Sequence, residues 1–248
     1  MISVQHIHKK FGKLEVLKDF NLEFESGNSY ALMGPNGSGK TTLIKIILGM
    51  VIPNSGEIMV QGKSIKGSYA YRSNIGYMPQ IGRYPDNIKI GQLFAMMQDM
   101  RPEIKEYDME LVEAFGLNEM MDKPMHTLSG GTRQKVSAAL AFMFRADILI
   151  LDEPTAGLDP IAVEVLKNKI KKERDSGKLI LITSHILSEL EELTNHAIYI
   201  FEGDVFFNDS VNSLKEITGE DRFSTAIARL MEWSLKKNSP KKTELKNA

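Results

Sequence analysis

Tyr30-Ala31-Leu32-Met33-Gly34-Pro35-Asn36-Gly37-Ser38-Gly39-Lys40-Thr41-Thr42-Leu43-Ile44-Lys45-Ile46-Ile47-Leu48 contains, in order, an apolar run, a glycine-rich loop and an aliphatic, helix-like stretch. An apolar run without alternation reads as a strand buried on both faces, as in a parallel sheet covered by helices. Residues 148–151 and 179–183 repeat the pattern, each followed by a polar or Gly-rich turn and a helix-like stretch. The fold class is therefore α/β.

Within this stretch, residues 34–41 match G-x-x-x-x-G-K-[ST], the phosphate-binding loop of P-loop NTPases, and stand between strand and helix as that loop requires. The glycines at 34, 37 and 39 let backbone N–H groups turn inward around a β-phosphate. The helix that follows aims its positive end at the same anion. Pro35, Asn36 and Ser38 complete the cradle. Lys40 is placed to neutralise β- and γ-oxygens and Thr41 to offer its hydroxyl to magnesium, with Thr42 beside them in the nucleotide site. A chance match would leave nothing more than a Gly-rich turn.

A second element names the chemistry. Ile148-Leu149-Ile150-Leu151-Asp152-Glu153 is a buried strand delivering two carboxylates to its C-terminal end, where open α/β sheets bind ligands. Asp152 is expected to help hold magnesium and Glu153 to polarise the attacking water. Without a phosphate loop upstream, an Asp-Glu pair ending a strand would be a solvated turn. A guanine-nucleotide switch is the rival reading, but the chain contains no Asn-Lys-x-Asp.

Bulk properties bound the rest. The chain has 248 residues, 42% of them hydrophobic, enough for one large domain or a domain with an insert. With 31 basic and 32 acidic residues the net charge is -1, so nothing calls for nucleic acid. There is no cysteine, hence no disulfide or thiolate metal site, which fits a reducing compartment. The apolar runs are strand-sized and the N-terminal residues lack a signal-like pattern, so the chain is expected neither to span nor to cross a membrane.

Residues 2–62 alternate in places, notably at 16–24, with turn signals at Ser26-Gly27 and at 53–56, and read as antiparallel strands with one wet face. Between about 84 and 145 helical spacing takes over, as in Leu93, Met96, Met97 and Met100, or Met109, Val112 and Phe115, and reads as an inserted α-helical subdomain. Beyond residue 210, a helix with Phe223, Ile227, Leu230 and Met231 on one face leads into a lysine-rich tail whose last dozen residues are expected to be disordered. The domain reading is 1–210 for the nucleotide-binding domain and 211–248 for a C-terminal extension, packed on the core.

Leu128-Ser129-Gly130-Gly131-Thr132-Arg133-Gln134-Lys135 resembles the L-S-G-G-Q signature of ABC ATPases. Physically, Ser129, Gly130 and Gly131 opening an apolar helix make a second anion site from a hydroxyl, bare N–H groups and a helix N-terminus. The resemblance extends to about residue 210. It implies an ABC-type nucleotide-binding domain, with an antiparallel β subdomain and the helical insert, that hydrolyses ATP with Mg2+. It also implies a head-to-tail homodimer in which one protomer's signature completes the other's phosphate-loop site. Such a subunit sits on the cytoplasmic face of the cell membrane and drives integral membrane permease subunits.

The same resemblance assigns further residues. Phe11 matches the aromatic position that stacks on adenine. Gln80, in Tyr77-Met78-Pro79-Gln80, matches the glutamine that reaches magnesium and water. Asp159, in Gly157-Leu158-Asp159-Pro160, matches the acidic residue that meets the opposite protomer. His185 matches the histidine that contacts the γ-phosphate; as a lone histidine at a strand end it would read as surface or core filler. Thr132 departs from the family, where glutamine is usual, which implies altered tuning with the phosphate contacts of residues 129–131 retained.

Residues 127–160 look most like the ATPase of the nitrous oxide reductase maturation transporter, a copper-sulfur centre assembly system with a permease and a periplasmic accessory protein. Half of the 14 methionines lie between Met96 and Met125, and thioethers bind Cu(I), but helical spacing without cysteine reads as flexible core or permease-contact packing. No metal beyond magnesium is assigned. Another ABC-2-type exporter and a non-transport ABC ATPase remain as alternatives. The latter would show a long coiled coil or a second cassette.

Overall fold

The computed structural model describes residues 1–236, which divide into two compact units: residues 1–71 with 181–236, and residues 72–180. In chain order the elements are β1 (Ile2–Phe11), β2 (Leu14–Phe24), β3 (Ser29–Met33), α1 (Lys40–Ile47), β4 (Ser55–Val60), β5 (Lys63–Ser64), β6 (Ile75–Met78), α2 (Ile90–Asp99), α3 (Glu110–Ala114), α4 (Gly130–Phe142), β7 (Ile148–Asp152), α5 (Pro160–Asp175), β8 (Leu179–Thr183), α6 (Leu187–Leu193), β9 (His196–Phe201), β10 (Asp204–Ser210), α7 (Val211–Thr218) and α8 (Phe223–Leu235). The lysine-rich tail beyond Lys236 lies outside the described residues.

In the first unit an antiparallel sheet of order β2-β1-β4-β5 matches the alternation read in the sequence, with one interruption. Phe20, Leu22 and Phe24 are buried while Asn21 and Glu23 face out, yet Leu17, three residues before Phe20, is buried too. The reason is a double irregularity: Val4 pairs with Leu22 but Ile7 with Phe20, and both His6 (φ +50°) and Asp19 (φ +47°) are left-handed. His6 N donates to Asn21 Oδ1 at 2.9 Å, and the His6 ring nitrogen Nδ1 meets Asp19 Oδ1 at 2.7 Å, so local polar side chains hold the bulge.

Every residue of β3 is buried, the apolar run Tyr30–Met33 as its pattern requires and Ser29 through hydrogen bonds with Asn195, and β3 pairs in parallel with β9. Strands β9 and β10 form a hairpin through Glu202 (φ +50°) and Gly203 (φ +84°), two consecutive left-handed residues that match the twist of the strands. Gly203 lies against β2: its carbonyl accepts from Lys18 N at 3.0 Å, and a Cβ on it would stand 2.4 Å from Val16 O. Helix α8 packs on α6 and α7 through Phe223, Ala226, Ile227, Leu230 and Ser234. Met231, expected on that face, is exposed. The residues past 210 that are described thus pack as ordinary helices on the first unit.

In the second unit β6 and β7 pair in parallel, Ile75 to Met78 against Ile148 to Leu151. Helix α4 packs so closely on β6 that a Cβ on Gly76 would lie 2.2 Å from Ala141 O, which explains glycine in the strand and the alanines of the helix. Helices occupy much of the expected 84–145 insert, joined by irregular and 3-10 segments. Met125 is core, whereas Met96 and Met100 are exposed, so helical spacing did not make them interior. Among the described residues no helix is long and apolar enough to cross a membrane.

Lysine 169, in α5, is 2% exposed and would be untenable alone. Its Nζ lies 2.5 Å from Asp108 Oδ2, 2.9 Å from Glu110 Oε2 and 2.7 Å from Glu173 Oε1, with Lys172 sharing Glu110 Oε2 and Lys178 on Glu173 Oε2. Burial works against its charge, but the three carboxylates outweigh it and push its pKa up. This network pins the segment before α3 to α5.

Candidate functional site

The phosphate loop joins β3 to α1 in the first unit. Gly34 (φ +143°) is enforced by crowding as well as torsion, since a Cβ there would stand 2.1 Å from Ile200 O. Gly39 (φ +113°) is the N-cap of α1 and supplies no side-chain cap, so the first N–H groups of the helix stay open to a ligand. Its own missing Cβ would meet Leu17 Cδ2 at 2.7 Å. Lys40 curls back over the loop, donating to Gly34 O at 2.7 Å and Pro35 O at 3.0 Å. Ser38 Oγ is buried with no hydrogen-bond partner among the described residues, a cost that an anion in the loop would remove.

Four more sequence candidates belong to this unit. Phe11 ends β1 half exposed, with Lys9 Nζ 4.7 Å from its ring centroid. His185 is exposed between β8 and α6. Thr41 and Thr42 open α1, Thr41 exposed.

The second unit holds Gln80, exposed just after β6, together with the carboxylates and the signature residues. Asp152 ends β7 partly exposed, and its charge, after burial, helps push the Tyr77 phenol up. Glu153 follows at φ +53°, a left-handed conformation that costs a residue with a Cβ roughly 1–3 kcal/mol and persists only where surroundings impose it. The structure brings Glu153 and the signature together through α4. Ser129 is the N-cap, accepting from Thr132 N at 3.2 Å. Behind it, Gln134 Nε2 donates to Glu153 O at 3.2 Å.

Gly131 packs on the same turn, where a Cβ would meet Gly157 O at 2.7 Å, while Gly130 has open space around it. Lys135 Nζ lies 2.6 Å from Asp159 Oδ2, and Asp159 Oδ1 caps α5 by accepting from Ala162 N at 2.9 Å. Lys135 and that cap hold the Asp159 carboxyl below the usual range. Gln134 and Lys135 were invisible as functional candidates in the sequence. They sat inside the signature octet, but nothing in their spacing said that they face the carboxylate turn.

Strand, glycine-rich loop and helix in one unit, and a strand-end carboxylate pair tied to the N-terminal half of α4 in the other, match one family. The family model described as ABC transporter matches residues 17–156, more than half of the chain. The chain belongs to the ABC transporter family. As an ABC-family ATP-binding subunit it is an ATPase. It is 32% identical over 220 residues to the lantibiotic transport ATP-binding protein SrtF of Streptococcus pyogenes, covering 88% of this chain and 95% of that one. It is 34% identical over 211 residues to the Nod factor export ATP-binding protein I of Cupriavidus metallidurans, covering 82% and 69%. Among solved structures, an ATP-binding subunit of an ABC transporter superposes with a TM-score of 0.85 at 24% identity, over 93% of this chain and 99% of that one. An ATP-binding cassette dimer bound to ADP and Pi gives 0.72 at 22% identity, over 85% and 98%. At those identities the structural likenesses speak for the ABC fold alone.

Proposed function

We propose that this chain is the ATP-hydrolysing engine of an ABC exporter, closing as a head-to-tail homodimer around two ATP molecules and driving integral membrane permease subunits from the cytoplasmic face of the membrane. The observation that carries the reading is that one chain presents two glycine-rich helix N-termini suited to anions, α1 behind Gly34–Thr41 with no side-chain cap and α4 behind Ser129, whose hydroxyl caps Thr132 N. In this reading the loop residues and Lys40 grip the phosphates, Phe11 takes the adenine, and Ser129, Gly130 and Gly131 of one protomer meet the γ-phosphate held by the other. Glu153 orients the attacking water, with His185 on the γ-phosphate. Asp159 faces the opposite protomer.

Magnesium fits the chemistry of the proposed donors. Thr41, Asp152 and Gln80, the residues proposed to hold it, each carry a hard oxygen, the ligand type that suits Mg2+. When bound, the ion offsets phosphate charge as it develops. Gamma-phosphate bridging two half-sites favours the closed dimer and its loss reopens it, a population shift set by differential affinity. The chain divides in this reading into an ATPase domain, 1–210, whose helical insert, about 84–145, transmits the motion, and an extension, 211–248.

Export is favoured by the names of the relatives, which include lantibiotic transport, Nod factor export and linearmycin resistance ATP-binding proteins. A second reading, nitrous oxide reductase maturation with a periplasmic accessory protein, rests on residues 127–160. Its distinguishing residue, Thr132, makes a hydroxyl contact to Ser129. Affinity capture from native membranes with Glu153→Gln and ATP tests both. An efflux permease supports export, a permease with copper-site partners supports maturation, and ribosomal or DNA-bound complexes overturn transport. The Glu153→Gln variant itself is expected to bind ATP and stay dimeric with turnover abolished; wild-type turnover would remove Glu153 from its role.

A further inference from the structure

Helix α4 is lined with small and apolar side chains, Val136, Ala138, Ala139, Ala141 and Phe142, and among them Gln134 is a long amide that is 6% exposed. Burying such a side chain sacrifices rotamer freedom and hydration, so its hydrogen bonds must justify its place. They go to one turn. Gln134 Nε2 donates to Glu153 O at 3.2 Å, and Pro154 O stands 3.5 Å from the same nitrogen. That turn is strained twice over: Glu153 is left-handed at φ +53°, and the proline after it pushes residue 153 toward extended backbone instead. Ala156 N also donates to Glu153 O, at 3.2 Å, closing the turn from the other side.

We infer that Gln134 is a positioning residue for hydrolysis: by holding the Glu153 carbonyl it fixes the direction in which the Glu153 side chain leaves the backbone. Gln134 lies on the helix that Ser129, Gly130 and Gly131 open, and a helix of 13 residues moves as a rod. The Gly131 packing on Gly157 and the Lys135 ion pair with Asp159 tie the same helix to the same turn on two further points. The carboxylate of one ATP site is thereby registered against the signature that serves the other, within one chain. This inference rests on the proposed roles of Glu153 and of the signature.

The test is steady-state ATP hydrolysis, ATP binding at equilibrium and thermal unfolding on the full chain bearing Gln134→Met, which keeps length and volume and deletes the donor. Loss of one positioning hydrogen bond predicts a fall in kcat of about tenfold, with KM and ATP affinity within about twofold. Gln134→Lys, which restores a donor, is expected to recover part of that loss. Combining Gln134→Met with Ser129→Ala should cost less than the product of the two single effects, because both act through α4. An unchanged kcat, a loss of kcat and ATP affinity in step with a loss of stability, or strict additivity would overturn the inference. Should Gln134→Met not fold, Gln134→Asn, which retracts the donor by one methylene, carries the same measurements. Glu153→Gln run in parallel separates the two claims: if it turns over like wild type, the proposed base falls; if it is dead while Gln134→Met is unimpaired, only the positioning role falls.

Discussion

Thr132 Oγ1 and Ser129 Oγ stand 2.9 Å apart across the first turn of α4, and Thr132 N donates to the same serine oxygen at 3.2 Å. Threonine stands here where the ABC signature usually has glutamine, and its hydroxyl touches the very group proposed to meet the γ-phosphate. With Thr132 N and the Thr132 hydroxyl both able to donate to Ser129 Oγ, the serine proton is left for a phosphate oxygen. Thr132→Val removes that help while keeping the shape. A neutral hydrogen bond of about 1 kcal/mol corresponds to about a fivefold rise in the ATP concentration at half-maximal hydrolysis, with Thr132→Ser near wild type. Equal curves for valine and threonine would show the hydroxyl to be idle.

Gly34→Ala is expected to damage the fold, not only nucleotide binding. The new Cβ would be driven into the Ile200 carbonyl, a backbone atom in β9 that cannot swing aside. Overpacking of this kind costs about 1–3 kcal/mol, or a fall in Tm of roughly 2–4 °C per kcal/mol in a chain of this size. Gly37→Ala meets nothing within 4 Å and suffers only its φ of +81°, so it should unfold at a higher temperature than Gly34→Ala while still impairing ATP binding. Thermal unfolding without nucleotide decides between them; equal midpoints would mean that β9 yields.

These two cases show which parts of the molecule could be read in advance. The local geometry of residues 34–41 and 129–131 was legible because torsion and capping are local, so a short pattern carries them. The buried strands β3, β7 and β8 were legible because strands covered on both faces are nearly continuous in apolar residues, with polar residues only at their ends. What was not legible depends on residues far apart in sequence. The bulge at His6 and Asp19 needs two strands in register, and Gln134 becomes meaningful only when α4 lies beside the turn after β7. Lys169 looked like one more helix lysine, because charge alone does not reveal that Asp108, 61 residues away, will meet it in the interior.

Lys169→Met should therefore be among the most destabilising single changes in the second unit. It leaves Asp108, Glu110 and Glu173 facing one another with their central cation gone, and breaking a buried pair from one side costs about 3–5 kcal/mol. The pH dependence follows from the same groups. Lys172 and Lys169 hold Glu110 below its ordinary 4.5; burial opposes ionisation of Glu173, but Lys169 and Lys178 prevail and hold it low as well. Depressed carboxylates contribute stability above 4.5 that is lost as the pH falls through their folded values. Lys169 is shifted up from 10.5, so its contribution is complete below that value and lost only as the pH rises beyond it. Wild type minus Lys169→Met, measured by denaturant unfolding, should be flat between these limits and shrink at both ends; a difference that grows on acidification would contradict the network.

Phe11 offers a last test, because its exposure has no structural justification of its own. Half of its surface faces solvent at the end of β1, with Lys9 Nζ 4.7 Å from the ring centroid. Removing it should barely change stability, since little apolar surface is returned to water. If the adenine of ATP stacks there, Phe11→Ala should weaken ATP binding by about 1–3 kcal/mol, the range for a base on an aromatic ring. Inorganic triphosphate supplies the control: it engages the phosphate loop and lacks the base, so its affinity should be the same for both proteins. Loss of ATP affinity with triphosphate unchanged places the adenine on Phe11. An equal loss for both ligands would mean that Phe11 acts on the loop, and no loss for either would mean that the base binds elsewhere.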